Sequence, residues 1–430
     1  MRCRVAYGMT GLSLTFGDDV DLTVVRTERA PPVQDPCTAI RQALENPIAS
    51  PPLSELVHSE DRVVIVFSDI TRPVPTAEIV TGVLEQLRHV PSSRITLLNA
   101  LGTHSRQTAE ELAVMLGPDI VERHEVLQHD AADASNLVRV GTSSYGHPFW
   151  LHRRYVEATA RILTGCIEPH FFAGYSGGPK AVVPGIAGME TILANHSPEM
   201  LASPNATWGC TEGNPVWMEM CELALMAGPA FLVNVSVSRD RRITGIFAGD
   251  LARAHARGVA FVRDHALRYV PAPFDVVITS NAGYPLDQNL YQAVKGMSAA
   301  ARIARPGGHI IVAAECRSGI PTGSNYERIL RSADSASDLA NHLASEMTAT
   351  PEQWQVAIQL AVQKKATVHL RSDGLSEGQI RAAHLEPCRS IEALVTSLLS
   401  RHAPHPATVC LLPDGPETIP TLEDAVSGRT

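Results

Sequence analysis

Basic charge is in short supply: the 430-residue chain sets 36 Lys and Arg against 45 Asp and Glu, a formal net charge of −9. That balance argues against a general affinity for nucleic acid or anionic membrane, since both attract basic surfaces. A local basic pocket for a small anion stays open. No stretch approaches twenty apolar residues, so no membrane-spanning helix is expected. The opening residues MRCRVAYGMTGLSLTFGDD lack the basic, apolar and small-residue zones of a secretory signal. Cysteine is thinly spread, with Cys3, Cys37, Cys166, Cys210, Cys221, Cys316, Cys388 and Cys410 forming neither a CxxC pair nor a tight cluster. Reduced, structural thiols in a reducing compartment follow, and a cytoplasmic protein is the expectation. Internal repeats and low-complexity tracts are also missing.

What remains is a globular composition, 44% hydrophobic and 19% charged, in a chain too long for one ordinary core. The run RVVIVF, from Arg62 to Phe67, reads as a buried strand and is followed by the polar loop SDITRPVP. Ile79, Val80, Val83, Leu84 and Leu87 then recur at helical spacing, and RITLLNAL (Arg94 to Leu101) forms a second strand stopped by GTHS. Strand, helix, strand in this order predicts a parallel α/β unit with ligands at the carboxyl ends of the strands. ARILTGC (Ala160 to Cys166) is a third strand. FLVNVSVS and RRITGIFAG, either side of Asp240, read as a hairpin, and Asp250 to His265 as a helix.

A composition break at RYVPAPFD, Arg268 to Asp275, sets the expected boundary between domains 1–267 and 268–430. Beyond it the alternation restarts with strand DVVIT, loop NAGYPLDQN, a helix through Ala301 and strand HIIVAA. ATVHLRS (Ala366 to Ser372) and ATVCLLPDG (Ala407 to Gly415) supply two further strands. The expected fold is therefore two α/β domains with mainly parallel sheets, the second smaller and doubly wound. A cleft between two such domains is a common home for a cofactor.

Chemistry concentrates in HFFAGYSGGPKAVVPGIAG, His170 to Gly188. It is not a P-loop, because Pro179 precedes the lysine and no GKS or GKT occurs. Gly174, Gly177, Gly178 and Ser176 permit close approach to the backbone. Lys180 is either a solvated surface lysine or, sheltered by the apolar VVPGIAG, an amine able to attack an activated carbonyl. His104 and His170 follow strands and His196 follows a short helix beginning at Gly188. They are structural residues, acid/base groups or ligands of a borderline transition metal, and their spacing matches no zinc template. Arg72, between threonine and proline, offers a fork for a carboxylate or phosphate, or an ion pair to Asp69. In PLDQNLYQAVKG, Tyr291, Gln292 and Lys295 lie near a helix start, Gln292 and Lys295 on one face.

SDITRPVP, GTHS, EPHFFAGYSGGPKAVVPGIAG, the pair Asn195–His196 and PLDQNLYQAVKG, in this order from Ser68 to Gly296, closely resemble the lactate racemase family, nickel-dependent racemases and epimerases of 2-hydroxy acids. QWQ at Gln353 to Gln355 extends the match. The first fifty and last sixty residues add little to it. The resemblance implies that Lys180 carries, through a thioamide, a nickel-pincer nucleotide (pyridinium-3-thioamide-5-thiocarboxylic acid mononucleotide). His196 would complete a roughly square-planar nickel site. It implies that His104 and His170 are acid/base partners on the two faces of the substrate carbon, and that Arg72 binds the carboxylate. Asp69, Ser176, Gly177 and Gly178 are expected on the cofactor, the glycines as clearance for the nucleotide. Gln292 and Lys295 are expected on the substrate, with Tyr291 and Trp354 lining its pocket. The implied partners are a small 2-hydroxy acid and the proteins that build the cofactor. Family members often have arginine after the histidine of GTH, whereas here Ser105 stands there and Arg106 follows, which bears on substrate choice. A zinc-type metallohydrolase and a non-catalytic nucleotide-binding or cofactor-binding protein are the alternatives from other classes. The particular hydroxy acid and the oligomeric state are not legible in the sequence.

Overall fold

The computed structural model describes residues 1–18, 20–72, 74–345, 349–401 and 407–423. The chain folds as two α/β units, one made of Arg29–His265 and the other of Met1–Glu28 together with Ala266–Thr430. Among the described residues no helix is long and apolar enough to cross a membrane.

In the Arg29–His265 unit a six-stranded sheet runs in the order Ile243–Asp250, Phe231–Val237, Ala160–Cys166, Val63–Ser68, Ile95–Ala100, Glu125–Gln128. Every pairing is parallel except the hairpin of the first two strands. The central strand VVIVF is buried at every position because both sheet faces are covered, so its apolar run is continuous instead of alternating. Ile79, Val80 and Val83 of the Thr76–Gln86 helix pack with Ile65, Phe67, Leu97 and Val233, which is why that helix carries its apolar residues at helical spacing. A second antiparallel pair, Leu137–Thr142 with Pro148–His152, had no clear sequence signal.

The other unit holds an all-parallel sheet in the order Glu386–Pro387, Thr367–Arg371, Ala304–Ala313, Phe274–Ser280, Val409–Leu412, Leu22–Val24. Alternate residues of its strands serve opposite cores. Val277, Ile310, Val312, Leu370 and Leu412 join Val294, Met297 and Val356 of two helices. Val276, Ile278, Ile311, Val409 and Leu411 join Val395 and Leu398. That alternation is the doubly wound sheet anticipated from the sequence.

The first 28 residues correct the expected 1–267 domain. Leu22–Val24 pairs with Val409–Leu412 as an edge strand, and the hairpin Arg2–Val5 with Leu12–Thr15 buries Cys3, Val5 and Leu14 in the second core of that sheet. The apolar face of Val276, Ile278, Val409 and Leu411 needs a cover, and the N-terminal hairpin provides part of it. Leu14 is 1% exposed, so Leu14→Ala is expected to destabilise this unit by about 2–5 kcal/mol in urea unfolding. A loss below about 0.5 kcal/mol would mean that the hairpin merely rests on the sheet.

Candidate functional site

Three neighbouring strands at the centre of the Arg29–His265 sheet end in the residues singled out from the sequence. Ala160–Cys166 leads to His170, Val63–Ser68 to Asp69 and Arg72, and Ile95–Ala100 to His104. Parallel pairing puts all three carboxyl ends on one edge, the ligand-binding edge of such sheets. Pro73, which follows Arg72, lies outside the described residues.

Asp69 is 5% exposed and uses both carboxylate oxygens on its own loop and on His104. The backbone N–H of Thr71 donates to Oδ1 at 2.7 Å, and His104 Nδ1 lies 3.0 Å from Oδ2. Burial pushes the Asp69 carboxyl up, but His104, Arg72 and Thr71 outweigh it and hold the group well below the ordinary carboxylate range. An ionised Asp69 requires His104 to carry its proton on Nδ1, which leaves the Nε2 lone pair outward. Asp69 is thereby engaged with His104. Arg72 acts on Asp69 through space without an ion pair, so its guanidinium fork is not consumed there.

His170 is held in the opposite sense. Its Nδ1 accepts from the backbone N–H of Ala173 at 3.1 Å and from that of Phe172 at 3.5 Å, so in the neutral ring the proton sits on Nε2. The Phe172 ring is the meeting point of the site. His170 stands edge-on to it at 4.5 Å, His196 edge-on at 5.0 Å, and Lys180 Nζ lies 5.6 Å from its centroid. His170, Lys180 and His196 are therefore brought together around one aromatic side chain. His196 is 5% exposed, and burial, with the Lys180 ammonium second, pushes its imidazole down to about 3. A neutral imidazole is the form that ligates a metal.

The glycines of SGGPK lie close against the protein's own atoms. Gly177 and Gly178 have φ of +74° and +53°. A Cβ on Gly177 would lie 2.8 Å from the Cys166 carbonyl oxygen, and one on Gly178 would lie 2.5 Å from His255 Cδ2. Their missing side chains make room for the protein's own atoms. Ser176 is similarly engaged, its hydroxyl donating to Cys166 O and accepting from Glu168 N, both at 2.9 Å. His255 Nε2 meets Ser176 O at 2.9 Å and Asn234 Oδ1 accepts from Gly178 N at 2.7 Å, which fixes the loop beneath Lys180.

In the Ala266–Thr430 unit, Asn289 caps the Leu290–Ala301 helix by accepting from Gln292 N at 3.0 Å. The buried Gln292 Oε1 has no hydrogen-bond partner among the described residues. Lys295 follows one turn later. Trp354 Nε1 donates to the Tyr291 hydroxyl at 3.2 Å, so these two aromatic residues are brought together although 63 positions apart. Arg106 is 62% exposed and stands 3.9 Å from Asp130. Sequence reasoning missed the parts played by Phe172, Asn195, Asn214, Glu219, Asn234 and His255. Only Glu219 left a trace, as an acid inside the apolar helix PVWMEMCELALM.

Family models for the lactate racemase N-terminal domain and the lactate racemase C-terminal domain match residues 7–209 and 270–419. The lactate racemase of Lactiplantibacillus plantarum is 38% identical over 87% of this chain and 89% of its own. That of Thermoanaerobacterium thermosaccharolyticum is 35% identical over 88% and 89%. The solved apoprotein structure of the lactate racemase from T. thermosaccharolyticum superposes with a TM-score of 0.90 at 32% identity, covering 98% of this chain and all of that one. A Thermotoga maritima protein, 19% identical with a TM-score of 0.69, shares the fold.

His196, His129, His152 and His255 all titrate below the ordinary 6.5, His196 near 3 and the others near 4, each chiefly because of burial. The unfolded chain therefore binds more protons than the folded one as pH falls. Stability is complete above about pH 6.5 and is lost on acidification toward pH 3–4, at about 1.4 kcal/mol per pH unit for each such ring. Urea unfolding of the unliganded protein should show this slope between about pH 6 and 4, and His196→Asn should reduce it by one proton's worth. An unaltered slope in that variant would contradict a neutral buried His196.

Proposed function

Because the chain belongs to the lactate racemase family, we propose that it is a racemase or epimerase of a lactate-like 2-hydroxy acid, dependent on a nickel-pincer nucleotide tethered to Lys180. The observation that carries this reading is the Phe172 ring with Lys180, His196 and His170 gathered on it.

The residues present fit such a group. Lys180 offers an amine on a fixed, half-buried loop, and His196 a neutral imidazole beside it. Among the described residues no three His, Cys, Asp or Glu assemble into a metal site. That leaves room for a cofactor to supply the remaining donors to a metal at His196. A zinc hydrolase, which uses three protein ligands, has no such set there. Held by Lys180 and His196, such a cofactor would supply hydride-acceptor chemistry toward the carbon that bears the hydroxyl.

The chain's own residues do the rest. Arg72 receives the carboxylate in its guanidinium fork. His104, with Nδ1 tied to Asp69, takes the hydroxyl proton on Nε2 and is stabilised as imidazolium by that carboxylate. His170 presents a protonated Nε2 toward a substrate oxygen. His104 thus rests with a lone pair on Nε2, ready to act as base, whereas neutral His170 offers Nε2–H as a hydrogen-bond donor and returns a proton to oxygen only from its imidazolium form. Gln292 is assigned to a substrate hydroxyl through its unpartnered Oε1. Lys295 is assigned to substrate charge, and Tyr291 with Trp354 to the substrate's side chain. Ser176, Gly177 and Gly178 serve the cofactor by shaping the loop that presents Lys180. Cofactor-building proteins are the expected maturation partners. The eight free cysteines support a cytoplasmic location.

Intact-mass measurement of protein matured with the cofactor-building proteins should show an adduct that is missing from Lys180→Ala; a full adduct on that variant would refute the tether. His196→Ala should keep the adduct and lose nickel. His104→Ala should keep both and lose about 10²- to 10⁴-fold in turnover, followed by chiral chromatography of single-enantiomer hydroxy acids. Wild-type-like turnover there would rule out His104 as the base. Gln292→Leu should lower kcat/KM by about 5- to 150-fold, corresponding to the loss of one buried hydrogen bond. An unchanged kcat/KM would remove Gln292 from the substrate.

A further inference from the structure

Glu219 is a buried carboxylate that the chemistry above does not use. It lies mid-way along the Pro215–Met226 helix, 0% exposed, among Val216, Met220 and Leu223. An unpaired carboxylate in such surroundings is costly, so its partners show what the fold gains from it. Oε1 accepts from Ser143 Oγ at 2.6 Å and faces His147 Nδ1 at 2.8 Å. Oε2 accepts from Asn195 Nδ2 at 2.8 Å, and the second hydrogen of that amide goes to Val216 O at 3.1 Å. Asn195 is itself 0% exposed and is the last residue of the Met189–Asn195 helix, with His196 as its cap.

The same helix braces the site at two more points. Asn214, at its N-cap, donates through Nδ2 to Phe172 O at 2.8 Å and to Cys210 O at 2.8 Å. Trp217 stacks on His255 at 5.0 Å, and His255 holds Ser176 O of the lysine loop. Phe172, the Lys180 loop and the His196 turn are thus all secured from one helix, the last of them through a charge.

Resting on the reading of His196 as the nickel ligand, we propose that Glu219 is a positioning residue for that ligand. It acts through Asn195, with His147 and Ser143 holding the carboxylate in place. The chain between Asn195 and His196 is a single peptide unit, so the amide clamp fixes where the imidazole begins. The ring then has only its side-chain torsions to settle, and the edge-on contact with Phe172 restrains those. A carboxylate suits this task because it only accepts. It presents acceptors to hydroxyl, imidazole and amide donors at once, whereas a glutamine must turn a donor toward one of them. Ligand-orienting groups of this kind typically contribute about 10- to 100-fold in metal affinity.

The test uses cofactor-matured wild type, Glu219→Gln and Asn195→Ala, with three readouts: thermal midpoint, adduct mass on Lys180, and the rate at which nickel passes to an excess of a chelator. The expected result for both variants is a wild-type adduct, a folded protein, and nickel release about 10- to 100-fold faster. A folded, adduct-bearing Glu219→Gln that releases nickel at the wild-type rate would overturn the proposal. Should Glu219→Gln fail to fold, Asn195→Ala decides, since it leaves the carboxylate its Ser143 and His147 donors; wild-type release from it is equally fatal. Wild type lacking adduct or nickel would instead defeat the reading of Lys180 and His196, a separate outcome.

Discussion

His196 is kept neutral because its ring is withdrawn from water and faces the Lys180 ammonium, and most of the site's construction follows from that requirement. Withdrawal needs an apolar wall, which Phe172 supplies. With no charge on the ring, the turn that carries it is held through its neighbour Asn195 and the carboxylate behind that amide. The same aromatic wall borders His170 and Lys180, so one packing decision sets three candidate site residues.

The two strand-end histidines illustrate how backbone and carboxylate select protonation without a change of residue type. A carboxylate next to His104 fixes a proton on Nδ1, while a backbone N–H pointing at His170 excludes one from the same atom. Identical imidazoles thereby present opposite faces to a ligand. Parallel pairing of the three central strands delivers them to one edge of the sheet.

Much of the architecture was legible because it depends on local patterns. Continuous apolar runs ended by polar loops marked the strands at Val63–Ser68, Ile95–Ala100, Ala160–Cys166 and Phe274–Ser280, and helical spacing marked Thr76–Gln86. The N-terminal hairpin and the Leu22–Val24 strand were not legible: their strands are three or four residues long, the hairpin packs in a core with Val276 and Leu411, and Leu22–Val24 pairs with Val409–Leu412. The glycines of the lysine loop were recognised as places of close approach, but the protein atoms that come near them were not legible. Glycine in a sequence signals close approach without saying whose atoms come near, and here they belong to Cys166 and His255.

The sequence by itself determined which residue types stand at strand ends and in which order the motifs run, since periodicity, turn residues and motif spacing are properties of neighbouring positions. Tertiary structure decided what no local pattern encodes. It set which nitrogen of neutral His104 and His170 carries the proton, and it gathered His170, Lys180 and His196 on Phe172. It also placed Glu219, 24 residues further along the chain, behind Asn195. Those outcomes depend on burial and on hydrogen-bond partners supplied from remote segments, and both exist only once the sheet and its covering helices have closed around them.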